Sequence, residues 1–399
     1  MDRPIEFEIL TNEERRYFGL EPIRAEWERF EVKPGFWVYF EGDVIRKTIS
    51  LGTLPGEKYK DFLDYAESDN EIYTRERKVV LARTQRGKEK KLNYTSISAM
   101  RPTGCSFWMN LSRPGLGSEL VARNTRNCIS LPIVFPRNVD TLAAFRKWMD
   151  GFIAACPPGY FEKVERMKHT KHRTVKYFNG DIFRFEVDLE HYGFGLIIGQ
   201  IGKMDKDGLL KEEHILGSTL GVCLLVRLYL FKTADRDMRV ENITAHPLGR
   251  TFIMMDNQVI WGEYEIVGSK RLEEADIDFP IQAGRSLSAK KRGYVRLCWG
   301  LGIIVRDEKG NFPKPLMDNR LLRHGCYFGV DRLEFERALE SGPVTDGLDE
   351  LEQIAFAYFE VPKDTTFDAF NRLHGGMTRA EYAAYANRFG REIENLMER

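Results

Sequence analysis

The sequence lacks the features that mark a membrane or a secreted protein. No uninterrupted apolar run approaches the ~20 residues that a membrane-spanning helix needs. The first residues, from Met1 to Glu6, contain neither the basic segment nor the apolar segment of a secretory signal. We therefore expect a soluble protein located in the cytoplasm.

Motifs for metal binding and covalent catalysis are also missing. The six cysteines are spread singly, without a C-x-x-C pair. The histidines show no H-x-H or H-E-x-x-H spacing, and the sequence after Ser118 lacks the second glycine of a nucleophile elbow. His169 and His172 are three residues apart, but a solvated linker explains them better than a metal pair without further ligands. The sequence thus predicts no catalytic residue, no metal ligand and no cofactor.

Charge is balanced over the whole chain but not along it. Sixty basic and sixty acidic side chains cancel, which argues against general nucleic-acid or membrane-surface binding. Residues 75–101 hold nine basic and two acidic side chains, and residues 285–306 hold six basic and no acidic ones. Residues 331–368 reverse the sign, with eleven acidic and three basic side chains. Such an asymmetry can steer a partner of opposite charge, although solvated helix faces and loops produce the same pattern.

Short apolar runs between Gly, Pro and Asn predict a β-rich chain with two groups of strands. The first group is expected at residues 37–40, 44–50, 78–84, 92–100, 105–111 and 128–135, before a helix that begins at Asp140. The second group is expected at residues 183–187, 222–231, 251–255, 259–266 and 294–299. Helices are expected at about 331–340, 348–358, 366–374 and 379–398. Capping-box spacing at Thr11 with Glu14, and at Thr378 with Glu381, marks two helix starts.

The predicted fold class is α+β, with two antiparallel β-rich domains. The first domain is closed by one helix, and the second is followed by a C-terminal helical segment. We place an N-terminal α+β domain of unknown role at residues 1–162 and a basic linker at 163–175. A β domain follows at 176–310, and a helical extension packed on it occupies 311–399.

A Gly-Asp pair recurs in two similar stretches, residues 39–46 and 177–184. Either two related β modules stand in tandem, or the same turn chemistry recurs between strands. At Gly180 and Asp181 we favour a structural role, because Asp after Gly supplies turn geometry. The glycines at 193, 195 and 199 lack the spacing of a dinucleotide-binding loop. Glycines inside strands more often mark a bulge or a close approach.

The segment at residues 174–306 resembles a known family through two short motifs. A Gly-Asp-Ile-Phe strand is followed by a Tyr-Gly-Phe-Gly turn that leads into an apolar strand. The positions concerned are Gly180, Asp181, Ile182, Phe183, Tyr192, Gly193, Phe194 and Gly195. This pattern resembles the immunity protein 26 family of bacterial toxin immunity modules. Leu196 stands where that family usually has Arg or Lys, so the resemblance implies no charge at this position.

The resemblance implies a non-enzymatic intracellular protein that binds and neutralises a bacterial toxin encoded nearby. Many such toxins are basic nucleases, so an acidic surface on this chain could occupy their nucleic-acid site. The motif residues Gly180, Asp181, Phe183, Gly193, Phe194 and Gly195 are expected to be structural. The candidate contacts are the aromatic and acidic residues Tyr192, Trp261, Trp299, Glu334, Asp349 and Glu350.

Two other functions stay open at this stage. The same family label carries a phosphotriesterase name, which implies a phosphoester or phosphotriester hydrolase as one alternative. The other is an adaptor whose N-terminal domain recognises an unknown partner. Contact with a membrane is not expected, and contact with nucleic acid is a weaker possibility because no aromatic-and-basic motif accompanies the basic stretches.

Overall fold

The computed structural model describes residues 9–52, 63–84, 86–113, 117–171, 173–219, 221–286, 293–308, 311–317, 326–342 and 348–391. The chain divides into unit 1, residues 1–173, and unit 2, residues 174–399. Both units combine antiparallel sheets with helices, so the α+β fold class predicted from the sequence is confirmed. The last helix, predicted at 379–398, ends at Asn387, so the prediction is wrong for residues 388–391. His172 and residues 392–398 lie outside the described residues.

Among its described residues, unit 1 contains four helices and one eight-stranded sheet. The helices are α1 (Asn12–Tyr17), α2 (Tyr94–Ser98), α3 (Leu142–Ala155) and α4 (Tyr160–His169). The strands are β1 (Glu28–Lys33), β2 (Phe36–Glu41), β3 (Val44–Gly52), β4 (Leu63–Arg75), β5 (Val79–Val80), β6 (Lys90–Lys91), β7 (Cys105–Arg113) and β8 (Gly117–Asn124). The sheet order is β1-β2-β3-β4-β5-β6, and β7 joins it by pairing with both β4 and β8.

Three predictions for unit 1 are wrong in part. Residues 92–100 were expected to form a strand, but Asn93 and Ser96 form a capping box that starts helix α2. Within the stretch expected as a strand at 128–135, the structure has a single bridge at Ser130. The basic connector expected after residue 162 is largely helix α4, so two long helices follow the sheet instead of one.

A network of charged side chains is buried in unit 1. Arg15 Nε lies 2.8 Å from Glu67 Oε1, and Lys47 Nζ lies 2.7 Å from the same oxygen. Lys47 Nζ also lies 2.5 Å from Asp69 Oδ1, and the Tyr65 hydroxyl donates to Glu67 at 2.8 Å. Burial alone would raise the pKa of Glu67, but the charges of Lys47 and Arg15 hold it below its ordinary value. The four charges therefore stabilise one another in an interior that excludes water.

Among its described residues, unit 2 contains eight helices and two sheets. The helices are α5 (Ile201–Lys206), α6 (Val240–Thr244), α7 (Asn257–Ile260), α8 (Lys314–Met317), α9 (Arg332–Ser341), α10 (Glu350–Tyr358), α11 (Phe367–His374) and α12 (Arg379–Asn387). The strands are β9 (Asp181–Glu186), β10 (Tyr192–Gln200), β11 (Cys223–Leu228), β12 (Phe252–Met255), β13 (Glu265–Ser269), β14 (Ile281–Arg285), β15 (Tyr294–Trp299) and β16 (Gly302–Asp307). The strand predicted at residues 259–266 is wrong in its first half, which belongs to helix α7.

Strand β10 lies at the centre of the larger sheet of unit 2. That sheet has the order β12-β11-β10-β9-β13, and the smaller sheet has the order β14-β15-β16. Phe194, Leu196 and Ile198 of β10 belong to one buried cluster, whereas Ile197 belongs to a cluster that also contains Phe183. Both faces of β10 are therefore covered, which accounts for its nearly continuous apolar sequence.

The C-terminal helices cover these sheets with their apolar faces. Phe335 of α9 belongs to the same cluster as Phe183 and Phe185 of β9. Phe356 of α10 packs into a third cluster on the smaller sheet, and Tyr382 of α12 packs into the cluster around Phe194. The helices thus form part of the core of unit 2, and their acidic residues are placed by that packing.

Candidate functional site

The Tyr-Gly-Phe-Gly motif lies inside strand β10, not in a turn, and its glycines make room for two phenylalanine rings. Gly193 pairs with Phe185 of β9, and Gly195 pairs with Phe183. A Cβ atom at Gly193 would lie 2.5 Å from Phe185 Cζ, and one at Gly195 would lie 2.3 Å from Phe183 Cζ. Carbon atoms in van der Waals contact are ~3.5–4.0 Å apart, so a larger residue fits at neither position without movement. Phe194, between the glycines, is fully buried.

The rings of Phe183 and Phe185 connect the sheet to the acidic helix α9. Phe185 makes an edge-on contact with Phe335 of that helix, with 5.2 Å between ring centroids. Phe183 stacks on Tyr264 at 5.4 Å, and the Tyr264 hydroxyl accepts the N–H of Val330 at 2.9 Å. Val330 lies just before α9. The motif therefore has a structural consequence beyond the sheet, because the rings that it accommodates lead to contacts with α9 and with Val330.

The Gly-Asp pair closes a turn and ties down the C-terminal segment. Gly180 has a positive φ of 85°, and a Cβ atom there would lie 2.1 Å from the carbonyl oxygen of Lys270. Asp181 is fully buried and accepts the N–H of Phe178 at 2.9 Å. Arg391 donates to both of its oxygens, from Nε at 2.6 Å and from Nη2 at 2.9 Å. Burial raises the pKa of Asp181, and Arg391 opposes that rise.

The corresponding pair in unit 1 has a different setting. Gly42 also has a positive φ, of 59°, but no atom lies within 4 Å of a Cβ added there. It lies in the hairpin turn between β2 and β3, whereas the residues before Gly180 form no strand that pairs with β9. These differences favour recurrence of the same turn chemistry over a duplicated module.

Tyr192, a predicted contact residue, has a partly covered ring at the start of β10. The guanidinium carbon of Arg184 lies 5.3 Å from the ring centroid. Arg184 is itself nearly buried and donates to Glu265 at 2.6 Å and to the carbonyl of Arg236. This stacking holds the ring in place. Tyr192 can therefore offer a partner only the half-buried remainder of its side chain.

The two predicted tryptophan contacts lie in different surroundings. Trp261 is half-buried directly after helix α7. Trp299 ends strand β15 and is also half-buried. Its ring centroid lies 5.7, 5.5 and 5.7 Å from those of Phe356, Phe367 and Phe370. Trp299 is thus held by the core on one side and lines a cavity on the other.

Many of the acidic side chains between residues 331 and 368 have a role inside unit 2. Asp331 and Asp349 cap helices α9 and α10. Glu336, Glu352 and Glu360 form ion pairs with basic side chains. Among the described residues, the exposed acidic side chains for which no such role is found are Glu334, Glu340, Glu350 and Asp364. The acidic surface is therefore smaller than the composition of the segment indicates.

The six predicted contact residues lie on different elements of unit 2. Asp349 and Glu350 lie at the start of helix α10. Glu352 of the same helix lines the cavity that Trp299 also lines. Glu334 lies on helix α9, which packs against β9. Asp349 is occupied by its capping bond, because its carboxylate accepts the N–H of Glu352 at 2.8 Å. Glu334 and Glu350 are the two acidic candidates that remain exposed.

A cavity of about 560 Å³ opens in unit 2 between the two sheets and the C-terminal helices. Its lining comes from β11, β14, β15, α10, α12 and the loops between them, so the sequence offered no single motif for it. The apolar wall contains Leu248, Phe279, Ile281, Trp299 and Leu348. The charged lining residues are Arg227, Arg250, Glu274, Asp278, Glu352, Lys363 and Arg379. This size is typical of sites for small molecules.

Arg227 is fixed in the cavity wall by backbone carbonyls. Its guanidinium donates to Gly249 at 2.8 Å, to Ala275 and Asp276 at 3.0 Å each, and to Leu248 at 3.2 Å. These bonds connect the loop before β12 with the loop before β14. The positive charge is therefore held in one place by groups that carry only partial negative charge.

In the described ranges, no group of three or more His, Cys, Asp or Glu side chains is arranged to hold a metal ion. Within the same part of the chain, no helix combines the length and the apolar composition needed to cross a membrane.

The central segment of the chain is similar to a known protein family. The family model Immunity protein 26 matches residues 178–292 of the chain. The resemblance predicted from the sequence is confirmed over that segment, which contains the Gly-Asp turn, the glycine motif and Trp261. Searches of curated proteins and of solved structures return no match.

Proposed function

We propose that this chain is an immunity protein that binds and neutralises a protein toxin encoded nearby, without catalysis. The observation that carries the proposal is the match of residues 178–292 to the Immunity protein 26 family. The matched segment forms the five-stranded sheet of unit 2, on which helix α9 is packed. The family motif and the acidic helix are therefore parts of one core.

The exposed acids of the C-terminal helices form part of the contact surface in this proposal. Glu334 and Glu340 lie on α9, Glu350 lies on α10, and Asp364 lies between α10 and α11. Exposed carboxylates accelerate encounter with a basic partner and suppress encounter with acidic ones. A toxin whose active surface binds nucleic acid has the complementary positive charge. Occupation of that surface would block the toxin without any chemical step.

A coexpression experiment tests this function. The intact chain is expressed together with the candidate toxin from the neighbouring gene, and growth and copurification are measured. We expect restored growth and a stoichiometric complex that weakens as salt is added. Absence of both rescue and complex formation would contradict the proposed function.

Charge-reversal variants test the contact surface separately. Glu334→Lys combined with Glu350→Lys should weaken toxin binding by roughly tenfold or more and reduce its dependence on salt. Asp150→Lys, at an exposed site on α3 of unit 1, is the control and should bind as the intact chain does. If the double variant also binds like the intact chain, the acidic surface is wrong although the immunity function stands.

A further inference from the structure

We propose that the cavity of unit 2 binds a phosphate group, held between the guanidinium groups of Arg227 and Arg379. This proposal does not rest on the proposed toxin contact, because neither arginine belongs to the exposed acidic surface, although Asp364 of that surface lies between the lining residues Lys363 and Thr365.

Consecutive backbone carbonyls hold the two guanidinium groups side by side. Arg227 donates to the carbonyls of Ala275 and Asp276 at 3.0 Å each, and Arg379 Nε donates to that of Ile277 at 3.2 Å. Consecutive residues are only ~3.8 Å apart along the chain. The two positive charges, which come from β11 and α12, therefore meet at one short stretch of loop.

The two arginines have no acidic partner in direct contact. In the ranges that the structure describes, neither Arg227 nor Arg379 forms an ion pair, and the Nη1 and Nη2 atoms of Arg379 have no hydrogen-bond acceptor. The guanidinium of Arg379 stacks on Phe367, with 4.7 Å from its carbon to the ring centroid, which fixes the plane of the group. Burial lowers the pKa of Arg227. The negative charges of Asp278 and Asp276 oppose this effect, and the positive charge of Arg379 lowers the pKa further. An anion between the arginines would remove that repulsion.

The carboxylates near the cavity have donors of their own. Glu352 accepts from Arg250 at 2.6 Å, and Asp278 accepts the N–H of Thr251 at 3.0 Å. Glu274 is exposed, and it is the acidic lining residue that would most oppose an anion at the entrance. Lys363 lies in the same lining and offsets it, whereas Arg250 is already paired with Glu352. The balance of the lining thus favours an anion at the arginine pair.

Phosphate fits this arrangement better than a carboxylate does. A phosphate monoester offers three oxygens and close to two negative charges, so it can accept from two guanidinium groups at once. A cavity of about 560 Å³ also exceeds the needs of an inorganic ion. The wall that contains Trp299 and Phe279 offers an apolar face to the rest of a phosphorylated molecule.

Isothermal titration of the intact chain tests the site, with inorganic phosphate, adenosine monophosphate and acetate as titrants at constant ionic strength. We expect phosphate and adenosine monophosphate to bind and acetate to bind at least tenfold more weakly. Tighter binding of adenosine monophosphate would identify an organic phosphate as the source, and equal affinities would identify free phosphate. No binding of either phosphate probe up to ~10 mM would overturn the proposal.

Matched variants locate the binding. Arg379→Gln should weaken both phosphate probes by about 10- to 100-fold, because a charge-assisted hydrogen bond is lost. Arg372→Gln removes an exposed arginine of α11 outside the cavity lining and should leave both affinities unchanged. Equal binding by these two variants would contradict the site. Circular dichroism of both variants checks that each is folded, and Trp299→Phe provides a second test because it should weaken adenosine monophosphate more than phosphate.

Discussion

Replacement of Gly195 by alanine should destabilise unit 2, because the added methyl group would collide with a ring that cannot retreat. Its Cβ atom would lie 2.3, 2.7 and 2.9 Å from three ring atoms of Phe183. The closest of these is about 1.2 Å short of a normal carbon–carbon contact. Phe183 is fully buried and stacked on Tyr264 at 5.4 Å, so relief requires movement of the backbone or of several core side chains.

The expected magnitude follows from the cost of overpacking a core. Inserting a methyl group into a well-packed site costs about 1–3 kcal/mol of unfolding free energy. In a unit of this size, 1 kcal/mol corresponds to ~2–4 °C in melting temperature. Gly195→Ala should therefore lower the melting temperature of unit 2 by roughly 2–12 °C. The loosening should reach helix α9, because Phe183 and Tyr264 lie between the motif and Val330.

Thermal melting followed by circular dichroism measures this change in the intact chain, and hydrogen exchange locates it. Gly284→Ala in β14 is the matched control, since no atom lies within 4 Å of a Cβ added there. That control should change stability by less than ~1 kcal/mol and can increase it, because alanine restricts the unfolded chain. Equal melting temperatures for the two variants would refute the reasoning. Faster exchange in β9, β10 and α9 should accompany Gly195→Ala alone.

Two further predictions concern buried ionisable groups. Glu67→Gln should destabilise unit 1 by about 3–5 kcal/mol in urea denaturation, because the buried Arg15 loses its counter-charge and Lys47 keeps only Asp69. Glu13→Gln, at an exposed ion pair, should cost less than ~1 kcal/mol, and equal effects would contradict the assignment. Burial lowers the pKa of His214 from 6.5 to about 4, with Nδ1 accepting the N–H of Leu216 and Nε2 facing the carbonyl of Gly300. The unfolded chain takes up this proton first as the pH falls, so lowering the pH from 6.5 to about 4 should reduce stability by up to about 3 kcal/mol, and His214→Asn should remove this contribution.

Local signals in the sequence predicted helix starts well. The capping boxes at Thr11 with Glu14 and at Thr378 with Glu381 are both present in the structure, and each prediction is confirmed. A capping box needs only residues three positions apart, so distant parts of the chain do not affect it. Both predictions could therefore be made without any information on long-range packing.

The errors in predicted secondary structure occurred where the local residue composition indicated one structure and a weaker periodic pattern of apolar residues indicated another. Helix α4 has five charged residues and a histidine among its ten, a composition typical of a connector, although Tyr160, Val164 and Met167 are buried on one face at helical spacing. The β-branched residues Thr95 and Ile97 favour a strand where helix α2 forms. In both segments a short-range preference was outweighed by burial against the sheet.

Contact residues could be proposed from the sequence, whereas the cavity could not. Glu334 and Glu350 could be named from local charge, and the structure leaves both exposed. Arg227 and Arg379 meet only because β11 and α12 are brought together by the fold, and nothing near either residue in the sequence distinguishes it from other arginines. A site assembled from distant single residues leaves no periodicity or spacing to detect.

The ion pair between Asp181 and Arg391 limits when Asp181 can be buried during synthesis of the chain. The two residues are separated by 210 positions. At the usual rate of ~5–20 residues per second, the ribosome makes Arg391 about 10–40 s after Asp181. During that interval the carboxylate has no cationic partner at its native position, and burying it alone would be costly. The carboxylate at the start of β9 can therefore be buried as an ion pair only after Arg391 has been made. A residue beyond helix α12 thus completes the first strand of unit 2.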